Sequence, residues 1–221
     1  MAKKSKDKIK RKPLLFIPRI FYNLIWWPAR IVFNFFFHLK IETQENLNKL
    51  KGPLIIASNH AAWLDPFLIA SAFPFLSKTF PIRYACWHKY FYSPRLFFCV
   101  RILGAFPIEK GLGLEKSLET PVKILESKGV VGFFPEGKRK KAGRHRKGRR
   151  GVAYLSLKTK AKILPVKIEG NMNMSFGKFL LRRYKIKIKI GKAFSLPSKK
   201  IKKPSDFNKP SALIMEKIRA L

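Results

Sequence analysis

The chain has 221 residues, with 48 Lys and Arg against 12 Asp and Glu, a formal net charge of +36. A chain that is 47% hydrophobic and 14% aromatic is too apolar for an unfolded polycation, so it folds around a real core. Its partner is then a polyanion, and anionic lipid headgroups meet that description as well as a nucleic acid does.

Residues 1–12 form a cationic tail, and residues 14–39 then turn strongly apolar. Spanning a bilayer takes about 20 consecutive apolar residues. Here Arg19 and Arg30 enclose a shorter stretch that includes Asn23, and Pro18 and Pro28 interrupt it. Pro28 is expected to end or kink a helix. One or two short helices lying in the membrane interface fit better than a span. Trp26, Trp27 and the Phe residues would enter the acyl boundary while Arg19, Arg30 and the tail reach phosphates. The same aromatics would also suit a cover for the protein's own core. Trp and Tyr beside Arg is an interfacial composition and favours the membrane. The expected division is a basic tail and interfacial segment over 1–39, followed by one domain over 40–221.

Beyond Lys40, apolar runs alternate with helix-like stretches. Strands are expected at 53–58, 80–85, 104–108, 130–135, 162–168 and 184–190, with helices near 66–76, 88–103, 114–127, 148–160 and 208–220. This alternation predicts an α/β fold with a largely buried mixed sheet flanked by helices. In the last strand Lys185, Lys187 and Lys189 alternate with Ile186, Ile188 and Ile190, as expected near a sheet edge. The two cysteines, Cys86 and Cys99, make no disulfide framework and no zinc spacing, so reduced thiols and no structural metal are expected. The basic run at 138–150 holds nine Lys or Arg plus His145. It suits a nucleic-acid patch, a loop beside a pocket or a solvated surface equally.

Few ionisable groups lie inside apolar sequence. His60 follows the 53–58 strand, and Asp65 stands five residues later, immediately before Pro66. On a regular helix the two would not share a face. On a strand-to-helix turn they can meet, and a carboxylate on one imidazole nitrogen makes the other a better base. The plainer alternative is an Asp helix cap with Pro at the first position and an incidental His. Glu136 follows an apolar strand and Pro135 and precedes Gly137, so it projects from a turn at a strand's end, where open α/β sheets bind ligands. Lys110 follows the 104–108 strand and offers a cation to a phosphate there. Pro165 and Val166 lie near the same edge.

These segments, in order, resemble the glycerolipid acyltransferase family typified by lysophosphatidic acid acyltransferases. The family's Asn-His, four residues, Asp is similar to Asn59-His60-Ala61-Ala62-Trp63-Leu64-Asp65. Its second block looks like Gly104 to Lys110, and its third, Phe-Pro-Glu-Gly-Thr-Arg, like Phe134-Pro135-Glu136-Gly137-Lys138-Arg139. The fourth resembles Ile163-Leu164-Pro165-Val166, and Lys147 and Gly148 also fit the pattern. Lys110 departs from the family's more usual Arg, replacing a bidentate fork by a point charge, and Lys138 replaces Thr.

The resemblance implies acyl transfer from a thioester to a lipid hydroxyl, without a cofactor, a metal or a covalent enzyme intermediate. His60 would be the general base and Asp65 its orienting partner, while Lys110, Glu136, Gly137, Lys138 and Arg139 would shape the acceptor headgroup site. The expected acceptor is a lysophospholipid, foremost 1-acylglycerol-3-phosphate. The expected donor is an acyl thioester of acyl carrier protein or of coenzyme A. Anionic membrane lipids are the expected polyanion in place of nucleic acid, with the protein monotopic on the cytoplasmic face of the cell membrane.

Overall fold

The structure, a computed structural model, describes residues 19–93, 100, 104–108, 111–139, 147–172, 184–197 and 203–221. Seven strands form one mixed sheet: β1 (Lys40–Thr43), β2 (Leu54–Ser58), β3 (Ile82–Trp87), β4 (Phe106–Ile108), β5 (Val130–Phe133), β6 (Lys162–Glu169) and β7 (Lys187–Ile190). Their order is β1-β7-β6-β2-β5-β3-β4, and every neighbouring pair is parallel except β6 with β7. β2 is central, and all five of its residues are buried. Leu54 and Ile56 enter the core on one face of the sheet, and Ile55 and Ala57 the core on the other. That period of two, with both faces apolar, is what a covered parallel sheet requires.

Helices cover both faces. On the first lie α1 (Arg19–Phe37) and α2 (Asp65–Ala72). On the second lie α5 (Glu119–Glu126), α6 (Gly151–Thr159) and α7 (Asn208–Arg219). Two short helices, α3 (His88–Phe91) and α4 (Gly113–Ser117), complete the described set. The stretch expected as one helix at 114–127 divides between α4 and α5. Pro121 has no N–H to donate, and its ring would collide with the Ser117 carbonyl, so the chain restarts at Leu118. Most of the helix expected beyond Phe91 lies outside the described residues.

Three further expectations change. α1 continues through Pro28, because its neighbours are anchored on both sides. The Trp26 Nε1 donates to the Phe73 carbonyl at 2.9 Å, and the Arg30 guanidinium donates to the Ser71 carbonyl. Both acceptors belong to the end of α2, where carbonyls lack helical partners. Phe33 and Phe37 bury themselves in the core. Pro28 itself is exposed, so the carbonyl it leaves unpaired faces outward. β1 was not expected; its four residues, half exposed at the ends, carry too weak a pattern. It covers β7, so the lysine strand lies one in from the edge. Lys187 and Lys189 are paired. Lys187 meets Glu42 at 2.9 Å, and Glu169 takes Lys167 at 3.1 Å and Lys189 at 3.4 Å. Lys187 with Glu42 and Lys189 with Glu169 are cross-strand ion pairs, and Lys167 pairs with Glu169 along β6.

Outward from the core, α1 presents Ile20, Leu24, Trp27, Ile31 and Phe35, all exposed. Their spacing places them on one stripe opposite the face that packs on α2. Phe75, also exposed, tilts against Trp26 and Trp27 at ring distances of 5.6 and 5.8 Å. Among the described residues, no helix is long and apolar enough to cross a membrane. Cys86 is a free thiol, and burial pushes its pKa up to about 11, which makes it a poor nucleophile. Cys99 lies outside the described residues.

Gly132 sits in β5 opposite Tyr84 of β3, and a Cβ there would lie 2.2 Å from the Tyr84 ring. Only glycine allows the ring to cross the strand. Gly132→Ala is therefore expected to lower stability by about 1–3 kcal/mol through overpacking. Adding Tyr84→Leu should recover part of that loss, because the two side chains compete for one space. Thermal unfolding of the two variants checks it, and an unchanged melting temperature for Gly132→Ala would refute the packing account.

Candidate active site

β2 and β5 are adjacent and parallel, so their carboxyl ends open onto the same edge of the sheet. β2 delivers Asn59 and His60 to that edge. Asn59 prolongs the pairing of β2 with β6 through its side chain: Nδ2 donates to the Ile168 carbonyl at 2.8 Å, and Oδ1 accepts the Ile168 N–H at 2.7 Å. An amide side chain here imitates one more peptide of the ladder, and it locks the start of the turn that carries His60.

The turn closes on Asp65. Its Oδ2 accepts the N–H of Ala61 at 2.7 Å and of Ala62 at 2.9 Å, and it meets His60 Nδ1 at 2.8 Å. Its Oδ1 accepts Asn171 Nδ2 at 2.7 Å. The carboxylate is fully buried, which only this density of donors makes tolerable. Asp65 does not cap its own helix, contrary to the plainer expectation. It begins α2 inside the helix, after an N-cap at Leu64 with no side-chain cap bond, and turns back toward the upstream amides. A carboxylate can only accept, so Nδ1–H donates to Asp65, and in the neutral imidazole the lone pair is then at Nε2. The His60 side chain remains 19% exposed.

β5 supplies the wall. Phe134 stacks on His60 with ring centroids 4.0 Å apart and planes at 16°. Tyr84 stacks behind Phe134 at 5.8 Å and 19°, in the space that Gly132 leaves. Burial holds the Tyr84 hydroxyl well above its ordinary pKa, so it stays neutral within this column. Beyond Phe134 the chain turns. Glu136 is buried, Gly137 has φ +69, and Lys138 and Arg139 are exposed. The Arg139 guanidinium lies 4.4 Å from the ring centre of Trp63, which belongs to the His60–Asp65 turn. The two turns are thus joined by ring stacking at one point and by a cation–π contact at another.

His60, Asp65, Glu136, Gly137, Lys138 and Arg139 therefore share one edge of the sheet. Lys110 lies outside the described residues; its strand ends at Ile108. Four contributors were not read from sequence. Trp63 and Phe134 sat inside motifs as unassigned aromatics, and Asn171 follows a strand with no pattern around it. The fourth is Arg149. Its N–H donates to the Pro135 carbonyl at 2.8 Å, and its side chain occupies the space a Cβ on Gly137 would need, with Nε 2.3 Å away. Of the basic residues before α6, Arg149 therefore lies on the Glu136 turn, whereas Gly148 packs close against Met215 of α7. Among the described residues no group of three or more His, Cys, Asp or Glu is placed to hold a metal ion.

The family model described as Acyltransferase matches residues 38–169, which include both turns. The chain belongs to the acyltransferase family. Relatives include the chloroplastic 1-acyl-sn-glycerol-3-phosphate acyltransferase of Arabidopsis thaliana, 27% identical over 74% of this chain and 43% of its own length. The 1-acyl-sn-glycerol-3-phosphate acyltransferase of Bacillus subtilis is 28% identical over 69% of this chain and 72% of its own. This chain thus spans less than half of the plant relative. Among solved structures, the 1-acyl-sn-glycerophosphate acyltransferase of Thermotoga maritima superposes with a TM-score of 0.62. That superposition has 16% identity and covers 94% of this chain and 85% of the other. It establishes a shared fold, and the mixed seven-stranded sheet flanked by helices is that fold.

Proposed function

We propose that this chain is an O-acyltransferase that moves a fatty acyl group from a thioester to the hydroxyl of 1-acylglycerol-3-phosphate, giving phosphatidic acid. The observation that carries the reading is the buried Asp65 carboxylate 2.8 Å from His60 Nδ1, at a sheet edge shared with Arg139. In the proposed reaction His60 Nε2 takes the acceptor hydroxyl proton as the oxygen attacks the thioester carbonyl. The tetrahedral intermediate collapses with cleavage of the C–S bond, and the imidazolium returns the proton to the departing thiolate. Asp65 stabilises the transient imidazolium and preserves its orientation. The relatives' names, each a 1-acyl-sn-glycerol-3-phosphate acyltransferase, support this acceptor.

Arg139 and Lys138, with Arg149 against the same turn, would face the acceptor phosphate. Arg139→Ala is expected to raise the acceptor KM about 10–100-fold, the worth of one charge-assisted hydrogen bond. The donor KM should change little if the contact forms in the ground state. The purified protein, offered a panel of lysolipids with acyl-carrier-protein and acyl-coenzyme A donors and read by mass spectrometry, tests both acceptor and donor. Equal use of monoacylglycerol and lysophosphatidate would sink the acceptor assignment. An acidic carrier protein suits a surface of +36, and coenzyme A is also polyanionic, so the two donor arms are compared directly.

The protein is further proposed to be monotopic on the cytoplasmic face of the cell membrane. The outward stripe of α1 would lie in the interface, and the basic tail would reach anionic headgroups. Support comes from the five exposed apolar side chains of that stripe.

A further inference from the structure

Asn171 stands two residues past the end of β6, 1% exposed, and its Nδ2 donates to Asp65 Oδ1 at 2.7 Å. The other carboxylate oxygen, Oδ2, is already shared among His60 and the amides of Ala61 and Ala62. Those three contacts all come from within the turn itself. Asn171 alone among the described donors reaches Asp65 from a distant part of the chain, 106 residues away. Its own position is set firmly, because Asn59 grips both backbone groups of Ile168 three residues earlier. Because Oδ2 lies off the Cβ–Cγ axis, its three contacts already resist rotation of the carboxylate; the bond from Asn171 satisfies Oδ1, whose buried lone pairs would otherwise draw the carboxylate out of this orientation in search of a donor.

We infer that Asn171 is a positioning residue: it acts through Asp65 to hold the His60 imidazole in the orientation that aims Nε2 at the acceptor. This rests on the proposed role of His60 and Asp65. Productive general-base geometry tolerates misplacements of only about 0.5 Å, so a carboxylate drawn off its place by an unsatisfied Oδ1 would misplace the imidazole enough to slow the chemical step. Substrate contacts would be untouched. The effect should therefore fall on kcat and leave both KM values alone.

The test is a double-mutant cycle on the full chain, with Asn171→Ala, Asp65→Ala and the pair, each checked for folding by circular dichroism and thermal melting. Asn171→Ala is expected to lower kcat roughly 10–100-fold, by analogy with the loss of an outer hydrogen-bond partner behind a metal-bound histidine. KM for acceptor and donor should stay within about twofold. In the Asp65→Ala background the same change should cost less than about twofold, because the group it acts through is gone. Asn171→Asp, of equal size but with an acceptor in place of the donor, should lose activity as Asn171→Ala does. If Asn171→Ala does not fold, Asn171→Ser, which leaves a smaller void, is measured against the same criteria. Equal losses in both backgrounds, a change confined to KM, or full activity in Asn171→Ala would each overturn the inference. Near-normal turnover by Asp65→Ala would instead bring down the His60–Asp65 reading itself.

Discussion

Replacing His60 by alanine is expected to lower acyl transfer by about 10²–10⁴-fold, the usual contribution of a positioned general base. The imidazole is 19% exposed, and its removal takes from Asp65 one of four hydrogen-bond donors and from Phe134 its stacking partner. Thermal stability should therefore fall modestly. Asp65 is different, because its carboxylate also holds the Ala61 and Ala62 amides and the Asn171 side chain. Asp65→Asn turns one acceptor oxygen into an NH₂ group that cannot accept. Whichever side it faces, an amide or Asn171 is left without its partner, at about 1–3 kcal/mol. His60→Ala should thus lose most activity with a small loss of stability, and Asp65→Asn should be impaired and more strongly destabilised. Turnover by mass spectrometry and thermal melting separate the two. His60→Ala with near wild-type turnover would remove the catalytic assignment.

Much of this arrangement was legible because its signals are local. Leu54 to Ala57 is apolar at every position, and a continuous apolar run bounded by polar residues reads as a buried strand. His60 and Asp65, too far apart on a helix, had to meet on a turn, and they do. The same locality explains the error over Asp65 as a cap. Asp before Pro is a strong cap signal, yet the carboxylate is drawn backward by two upstream amides and an imidazole that sequence alone cannot place.

What sequence did not show depends on partners far along the chain. Asn171 reaches Asp65 across 106 residues, and Arg139 reaches Trp63 from a neighbouring strand. No local pattern encodes either contact. Pro28 is expected from sequence to end or kink a helix, since a proline inside one costs about 3 kcal/mol. Tertiary packing outweighs that cost here, through the buried Phe33 and Phe37 and the bonds from Trp26 and Arg30 to the end of α2. The alternation of Lys187 and Lys189 reads as a sheet edge because their partners, Glu42 and Glu169, come from two other strands.

The exposed stripe of α1 leads to the other large expected effect. Leu24, Trp27 and Ile31 are 64%, 54% and 61% exposed, so each has roughly half its surface available to enter an acyl boundary. Full burial of such a side chain is worth about 1.5–3 kcal/mol, so three half-buried ones contribute about 2–4.5 kcal/mol to membrane partitioning. At about 1.4 kcal/mol per tenfold, the combined change Leu24→Gln, Trp27→Gln and Ile31→Gln should weaken vesicle binding about 30–1,500-fold. Glutamine keeps helix propensity and adds no charge, so electrostatic attraction to anionic lipid is left as it was. The distinction appears with salt. High ionic strength screens the basic surface, and the wild-type chain should then remain partly bound through its apolar stripe. The triple variant should be released completely under the same conditions. Its melting temperature should be lowered only modestly, since Trp27 gives up its contacts with Trp26 and Phe75 but Trp26, Arg30, Phe33 and Phe37 are unchanged. Co-sedimentation with vesicles containing anionic lipid, at low and at high salt, measures both. A triple variant that stays bound in high salt as firmly as the wild type would show that α1 does not hold the protein on the membrane.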